Sequence, residues 1–436
     1  MFNINYIPNW SSVVRPTPKS IFLFKDFKLL VERSVQLTEI GKRFKPRLYD
    51  HSDFIISKLF VISKGWSTHD AAEYLNKRCK SLLMQNKKFK THLFRDNLRE
   101  RRVIPHQTEI DKYFRRLSEK EVKNLFGSIL DGINELIYRF IARDRSWTTI
   151  ADNTKYPYYG TTNATKHMKA LHLPGTKYAW FFQGISVLSK NIHLYTDFHS
   201  LTKGVYRSKD ISNSIKWLQF CRLKIRRILV DREFYRAALV DDLRKIGIKT
   251  LMPTKKYNWV KHRMYQFLNN KGTIVSGTIF SQTAKKYPHQ RGAIVRLVLI
   301  GHDNQSAFEV RDKFRNGTFT YDEALHNLAG FYTNLKPWKN KRSWARYLVR
   351  EYKKRWSIET GFRMLNSMHK RFRSTQFSVI LSELYMRGWI YNSWQAYLHE
   401  CKRLNVFNRD RTFDGFLRKY NEHLEEEILS YTLKRN

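Results

Sequence analysis

The clearest hydrophobic pattern in the chain begins at Val122. Val122, Leu125, Phe126, Ile129, Leu130, Ile133, Leu136, Ile137, Phe140 and Ile141 recur at intervals of three and four, which predicts one long amphipathic helix. Ser118 and Glu121 stand three apart at its start, the spacing of a capping box. Shorter helices are predicted over 67–78, where Ser67 precedes Asp70 by three, and over 106–117. Residues 1 to about 50 are basic and lack a clear period. Short basic helices joined by turns suit a helix-turn-helix DNA reader. The plainer alternative is an ordinary helical bundle; the charge favours DNA.

The pattern changes near Trp147. WTTIAD (147–152) reads as a strand ending in an acid. YAWFFQGISVL (178–188) and NIHLYTDF (191–198) read as strands joined by a tight turn at 189–191. A helix is predicted over 210–225, then a short buried strand, RILVD (227–231), ending in a second acid. A helix over 234–247 with Gly247 as its cap and a strand at 249–253 follow. Three strands, a helix, a strand, a helix and a strand are the order of a ribonuclease-H-like α/β fold, in which a hairpin precedes a parallel segment. The glycine-dotted stretch 254–326 predicts a β-rich insertion, with a strand at 293–302, and 328–335 is a strand leaving it. Helices are predicted from 343 to about 403. The expected organisation is a mostly helical DNA-binding region over 1–145, an α/β catalytic domain over 146–398, and a helical tail over 399–436.

Charge names the partner. There are 81 Lys plus Arg against 38 Asp plus Glu, a formal net charge of +43. Such an excess points to a phosphate backbone, with a ribosomal-type or membrane-surface protein as the plainer reading. The 42% hydrophobic content builds a globular core. No run of about 18 apolar residues is present, so no membrane span is expected. The start of the chain does not resemble a secretory signal. Cys79, Cys221 and Cys401 fit neither a zinc spacing nor a disulfide framework, which suggests a reducing, cytoplasmic setting. His193, His199 and His289 fit no ligand spacing either.

In a chain this poor in acids, three carboxylates stand out. Asp152 and Asp231 each follow an apolar strand, where open sheets present ligands. Either alone is as readily a turn or cap residue. The third is Glu359. At 100° per residue, Tyr352, Arg355, Glu359, Arg363, Asn366 and Lys370 fall on one helix face, joining a phenol, an acid and several cations. That face suits a metal-holding carboxylate flanked by phosphate-gripping groups; taken alone, its plainer reading is a solvated face of ordinary ion pairs. Trp356 reads as a core residue, Glu233 as a helix cap, and Asp197 as a surface or turn acid.

Four stretches carry a family resemblance: IADNTKYPYYG (150–160), GTKYAWFFQGISVL (175–188), ILVDREFY (228–235) and YKKRWSIETGFRMLN (352–366). GFYTNL (330–335) adds to them. Together they resemble the DDE-type insertion-sequence transposases, most closely an archaeal-like branch of the group with a Y-x2-R-x3-E-x6-K signature. The resemblance implies that Asp152, Asp231 and Glu359 bind Mg²⁺ or Mn²⁺, two ions per site. It implies that Tyr352 and Arg355 contact DNA, with Arg363 and Lys370 on the same face, and that the enzyme works as a homodimer on paired transposon ends. Water would attack at the end, and the freed 3′-hydroxyl would attack target DNA. One position departs: the signature lysine falls at Asn366. A catalytically degenerate DNA-binding protein and a nuclease on the same fold are the alternative readings.

Overall fold

The structure is a computed structural model that describes residues 31–36, 49–85, 104–141, 146–160, 168–173, 176–189, 192–201, 208–234, 237–280, 293–302, 305–368, 374–403 and 412–435. In chain order the first helices are α1 (His51–Lys64), α2 (Thr68–Gln85), α3 (Gln107–Arg116) and α4 (Glu119–Ile141). Strands β1 (Ser146–Tyr158), β2 (Met168–Leu173), β3 (Thr176–Ser189) and β4 (Ile192–Ser200) follow. Then come α5 (Ser208–Phe220), β5 (Lys224–Val230), a 3₁₀ turn (Arg232–Phe234), α6 (Ala237–Lys245) and β6 (Lys249–Pro253). The next elements are α7 (Asn258–Leu268), β7 (Val275–Phe280), β8 (Ala293–Gly301), α8 (Ala307–Arg315), α9 (Tyr321–Asn327) and β9 (Leu328–Thr333). The chain ends with α10 (Lys341–Lys353), α11 (Trp356–Ser367), α12 (Phe377–Arg403) and α13 (Phe413–Arg435).

Two compact units divide these elements: Met1–Ile137 with Ser367–Asn436, and Tyr138–Asn366. In the helical unit, α12 packs with α1 and α3, and α13 with α1 and α2. Phe54 stacks on Tyr113 at 4.6 Å between ring centroids, and Phe126 on Trp389 at 5.5 Å. The Ser118–Glu121 capping box forms, with the Ser118 N–H donating to Glu121 Oε2 at 2.7 Å. A buried ion pair, Lys58 with Glu383 at 2.8 Å, ties α1 to α12.

The second unit is built on one mixed sheet, ordered β2-β3-β1-β5-β6-β9-β8-β7, with β4 also on β3. The long β3 pairs β1 on one side; on the other it holds β2 near Tyr178 and β4 beyond Phe182. β1 and β5, and β5 and β6, are parallel. The central order β4-β3-β1-β5-β6 is the expected ribonuclease-H-like arrangement. Ile228, Leu229 and Val230 are fully buried, as a central parallel strand requires.

Three expectations need correction. The strand carrying Asp152 does not end there but runs to Tyr158, paired with β3. The helix predicted to Ile225 stops at Phe220; Arg222 takes a left-handed conformation (φ 64°), and the strand begins at Lys224. The stretch read as β-rich holds two strands and three helices among its described residues, and β8 pairs with β9, which pairs with β6. The insertion therefore extends the main sheet. Capping boxes at Ser306–Glu309 and Thr320–Glu323 start two of its helices.

Candidate active site

β1 and β5 lie side by side up to Ala151 opposite Val230, and there their parallel pairing ends. The next residue on each strand is an acid, so Asp152 and Asp231 emerge together where the strands part. This is the carboxyl edge of an open α/β sheet, the usual place for ligands. Asp152 is buried and Asp231 half-buried. A 3₁₀ turn follows Asp231 at once, and the Phe234 N–H bonds back to its carbonyl at 3.0 Å.

Glu359 arrives from the other side, on α11. α10 and α11 form no single straight helix. Between them, the N–H groups of Lys354, Arg355, Ser357 and Ile358 bond three residues back, at 2.9–3.2 Å, in a 3₁₀ elbow. Arg227 of β5 holds Glu351 at 2.8 Å, and Lys354 holds the same carboxylate at 2.6 Å, which anchors the elbow to the sheet. Two glycines let α11 lie close. A Cβ on Gly184, opposite Asp152 in β3, would come within 2.6 Å of Phe362 Cζ; one on Gly361 would meet the Tyr195 hydroxyl at 2.5 Å. That hydroxyl donates to the Ile358 carbonyl at 3.1 Å.

Asp152, Asp231 and Glu359 line one open cavity of about 490 Å³ with Asn153, Thr154, Lys155, Glu233, Arg355, Phe362, Arg363 and Asn366. Arg355 is the hub. One guanidinium nitrogen donates to Asp152 Oδ2 and the other to Glu359 Oε1, the latter at 2.6 Å. Burial pushes the Asp152 carboxyl up to about 6; Arg355 and the Asn153 N–H oppose the rise, and the charges of Asp231 and Glu359 add to it. Burial likewise holds the Tyr352 phenol above its usual range. Its ring lies 5.5 Å from the Arg355 guanidinium and 5.0 Å from Phe331, so it supports Arg355 and lies outside the cavity lining.

The donor set is all oxygen, which suits a hard divalent cation. A cation already stands between two of the acids in the form of Arg355. The three carboxylates do not close into one shell. Among the described residues, the histidines and acids whose ligand atoms lie within 4.8 Å of one another are His69, Glu73 and His106, in the helical unit.

Arg363 and Asn366 line the cavity as the helix-face projection expected, while Lys370 lies outside the described residues. Trp356 is 67% exposed, not core. Glu233 faces the cavity and accepts from Asn153 Nδ2 at 3.0 Å instead of capping a helix. The lining residues Asn153 and Lys155 were missed; they follow Asp152 on β1 and, two apart, share the face of the strand opposite to its own. Asp197, expected at the surface, takes a hydrogen bond from Ser214 at 2.9 Å. His289 lies outside the described residues.

His193 lies in the core beneath α11, and its burial pushes the imidazole down to about 3. The unfolded chain takes up a proton near pH 6.5 that the folded chain refuses, so stability is full above pH 6.5 and falls as pH drops toward 3. Relative to His193→Leu, the wild type should lose about 1.4 kcal/mol per pH unit in that window. Urea midpoints at several pH values test this; parallel pH slopes for the two proteins would refute it.

The transposase DDE domain family matches residues 190–393. That stretch contains Asp231 and Glu359 but begins after Asp152. A piggyBac transposase synaptic complex with hairpin DNA, a cryo-EM structure, is similar in fold: TM-score 0.50 and 11% identity, covering 98% of this chain and 84% of that one. The Drosophila P element transposase strand transfer complex aligns at 11% identity over 94% of this chain and 99% of that one, with a TM-score of only 0.22. No curated protein matches the sequence. Among the described residues no helix is long and apolar enough to cross a membrane.

Proposed function

We propose that this chain, whose residues 190–393 match the transposase DDE domain family, is a DNA transposase that cuts the ends of a mobile element and joins them to target DNA. The observation that carries the reading is that three acids, far apart in a chain of +43, line one cavity at the sheet's carboxyl edge. Asp152, Asp231 and Glu359 would hold the metal, Mg²⁺ or Mn²⁺ and two ions per site. When bound, such ions lend charge neutralisation and activation of the attacking hydroxyl.

The chain's own residues do the rest. Arg355 keeps the acids compensated, and its planar fork suits phosphate oxygens once DNA enters. Tyr352 stays a protonated phenol and braces that guanidinium. Lys155 and Arg363, on the cavity wall, neutralise flanking phosphates. Asn366 offers a neutral amide where the signature has a lysine, so it can donate a hydrogen bond without adding charge. The helical unit reads DNA outside the cut, and two copies act on paired ends. Asn366 is also the one observation that favours a DNA-binding protein without catalysis.

A labelled duplex bearing the element's end tests both readings. Wild type should nick it with Mg²⁺ or Mn²⁺ and not with chelator, and Glu359→Gln should not nick at all. Tight binding to that end without nicking by wild type would favour the non-catalytic reading, and Asn366→Lys would then be the first reversion.

A further inference from the structure

From Leu243 to His302, sixty residues, the sequence holds no aspartate or glutamate and twelve lysines and arginines. At 38 acids in 436 residues, about five would be expected in such a stretch. Its exposed centre is α7 with the turn that leads into it. Val260, Met264, Phe267 and Leu268 of α7 are buried against the sheet unit. The opposite arc is open: Lys261 and Arg263 flank it, and Trp259, His262 and Tyr265 lie between, with Lys255 and Tyr257 just before. Three large rings stand in this arc among the cations: Tyr257, Trp259 and Tyr265 are 44%, 36% and 47% exposed. Trp259 stacks on Tyr332 at 5.7 Å, which gives it a rigid seat. Lys256 is turned inward, donating to the Leu325 and His326 carbonyls, and so pins the turn. Arg263 Nη1 donates to the neutral Gln266 Oε1 at 2.9 Å, leaving its charge uncompensated by that contact.

Position gives this arc a meaning. β5 and β6 are parallel, with Leu229 opposite Leu251, so Asp231 and Pro253 stand level on adjacent strands. Adjacent strands lie about 4.8 Å apart. The chain leaves β6 at Thr254, whose N–H bonds to the Gly330 carbonyl at 2.8 Å, and turns directly into α7. The basic, aromatic arc therefore begins on the same sheet edge as the acid cavity, one strand away. Cations interleaved with exposed rings are the chemistry of a surface that grips phosphates and packs against sugars and bases.

We propose that this arc is a second DNA contact, one that holds the backbone of the duplex whose cut end lies in the acid cavity, with Lys255, Lys261 and Arg263 as its phosphate-binding residues. It rests on the reading of the cavity as a DNA-cutting site.

The test is binding of the full chain to a labelled duplex across a KCl series, followed by anisotropy. The variant joins Lys255→Gln, Lys261→Gln and Arg263→Gln. The control joins Lys216→Gln, Lys224→Gln and Arg226→Gln, removing the same charge on α5 and at the start of β5, the end away from the cavity. Each lost phosphate contact should reduce the slope of log affinity against log salt by about 0.9. The triple variant should therefore lose two to three units of slope and about 10- to 100-fold in affinity near 0.1 M salt, and the control should lose little. Equal slopes for wild type and triple variant, or equal losses in variant and control, would overturn the proposal while leaving the cavity's role intact. A wild type that binds no DNA would overturn both.

Discussion

Asp231→Ala should abolish end cleavage while leaving DNA affinity within a few-fold of wild type. Asp231 stands at the mouth of the cavity beside Asp152, where β5 ends. If these acids hold the metal, losing one removes several kcal/mol of transition-state stabilisation, at least about a thousandfold in rate. Binding should not suffer, because the variant removes a negative charge from a cavity meant for phosphates. Folding should not suffer either. The charge of Asp231 raises the Asp152 pKa, so its removal relieves repulsion instead of breaking a pair. Gel-resolved cleavage, duplex anisotropy and a melting curve on the same preparation decide the matter. Cleavage above about a tenth of wild type would take Asp231 out of the catalytic set. Loss of binding by a protein that melts normally would make the cavity a DNA-holding surface.

The parts of this site that were readable in the sequence are those where local signals and tertiary structure agree. β6 lies where the KTLMP run placed it, and the Ser118–Glu121 box opens α4. Asp231 follows four apolar or basic strand residues that fix it at an edge. What was not readable depended on neighbours far along the chain. The strand read as ending at Asp152 runs on through Pro157. β1 has no β5 partner beyond Ala151, however, so a proline opposite Ala179 sacrifices no ladder bond on that open side. The sequence FCRLKIRR continues a helical pattern with no glycine to stop it, yet Arg222 turns left-handed because β5 must start at Lys224 to reach β1. The insertion misled through its glycines, and its two capping boxes went unread: Glu323 reads in sequence as a surface or turn acid, and Ser306–Glu309 was missed. The helix-face projection brought Arg355, Glu359, Arg363 and Asn366 together correctly despite the 3₁₀ elbow, because Arg355 and Glu359 keep their four-residue relation. Tyr352, on the far side of that elbow, is rotated out of the cavity to brace the guanidinium. Glu233 was misassigned because its partner, Asn153, is 80 residues away.

The glycine seat of α11 leads to the second large effect. Gly361→Ala should slow cleavage by one to two orders of magnitude and cost about 1–3 kcal/mol of stability, the usual range for overpacking a filled core. The added Cβ would lie 2.5 Å from the Tyr195 hydroxyl and 3.0 Å from His193 Cε1. Both belong to β4, whose Tyr195 tethers α11 through the Ile358 carbonyl. Relief requires the tether to break or the helix to lift, and Glu359, one residue beyond Ile358, moves with it. A displacement near 1 Å at a catalytic group is worth about a hundredfold in rate. Tyr195→Phe discriminates this account from a general loss of stability. Alone it removes one hydrogen bond, about 1 kcal/mol. Combined with Gly361→Ala it removes the very atom that clashes, so the double variant should be more stable than the sum of the singles predicts and should recover part of the lost rate. Strict additivity in both stability and rate would mean that the helix is seated by something other than this close approach, and that the glycine does not set the position of Glu359.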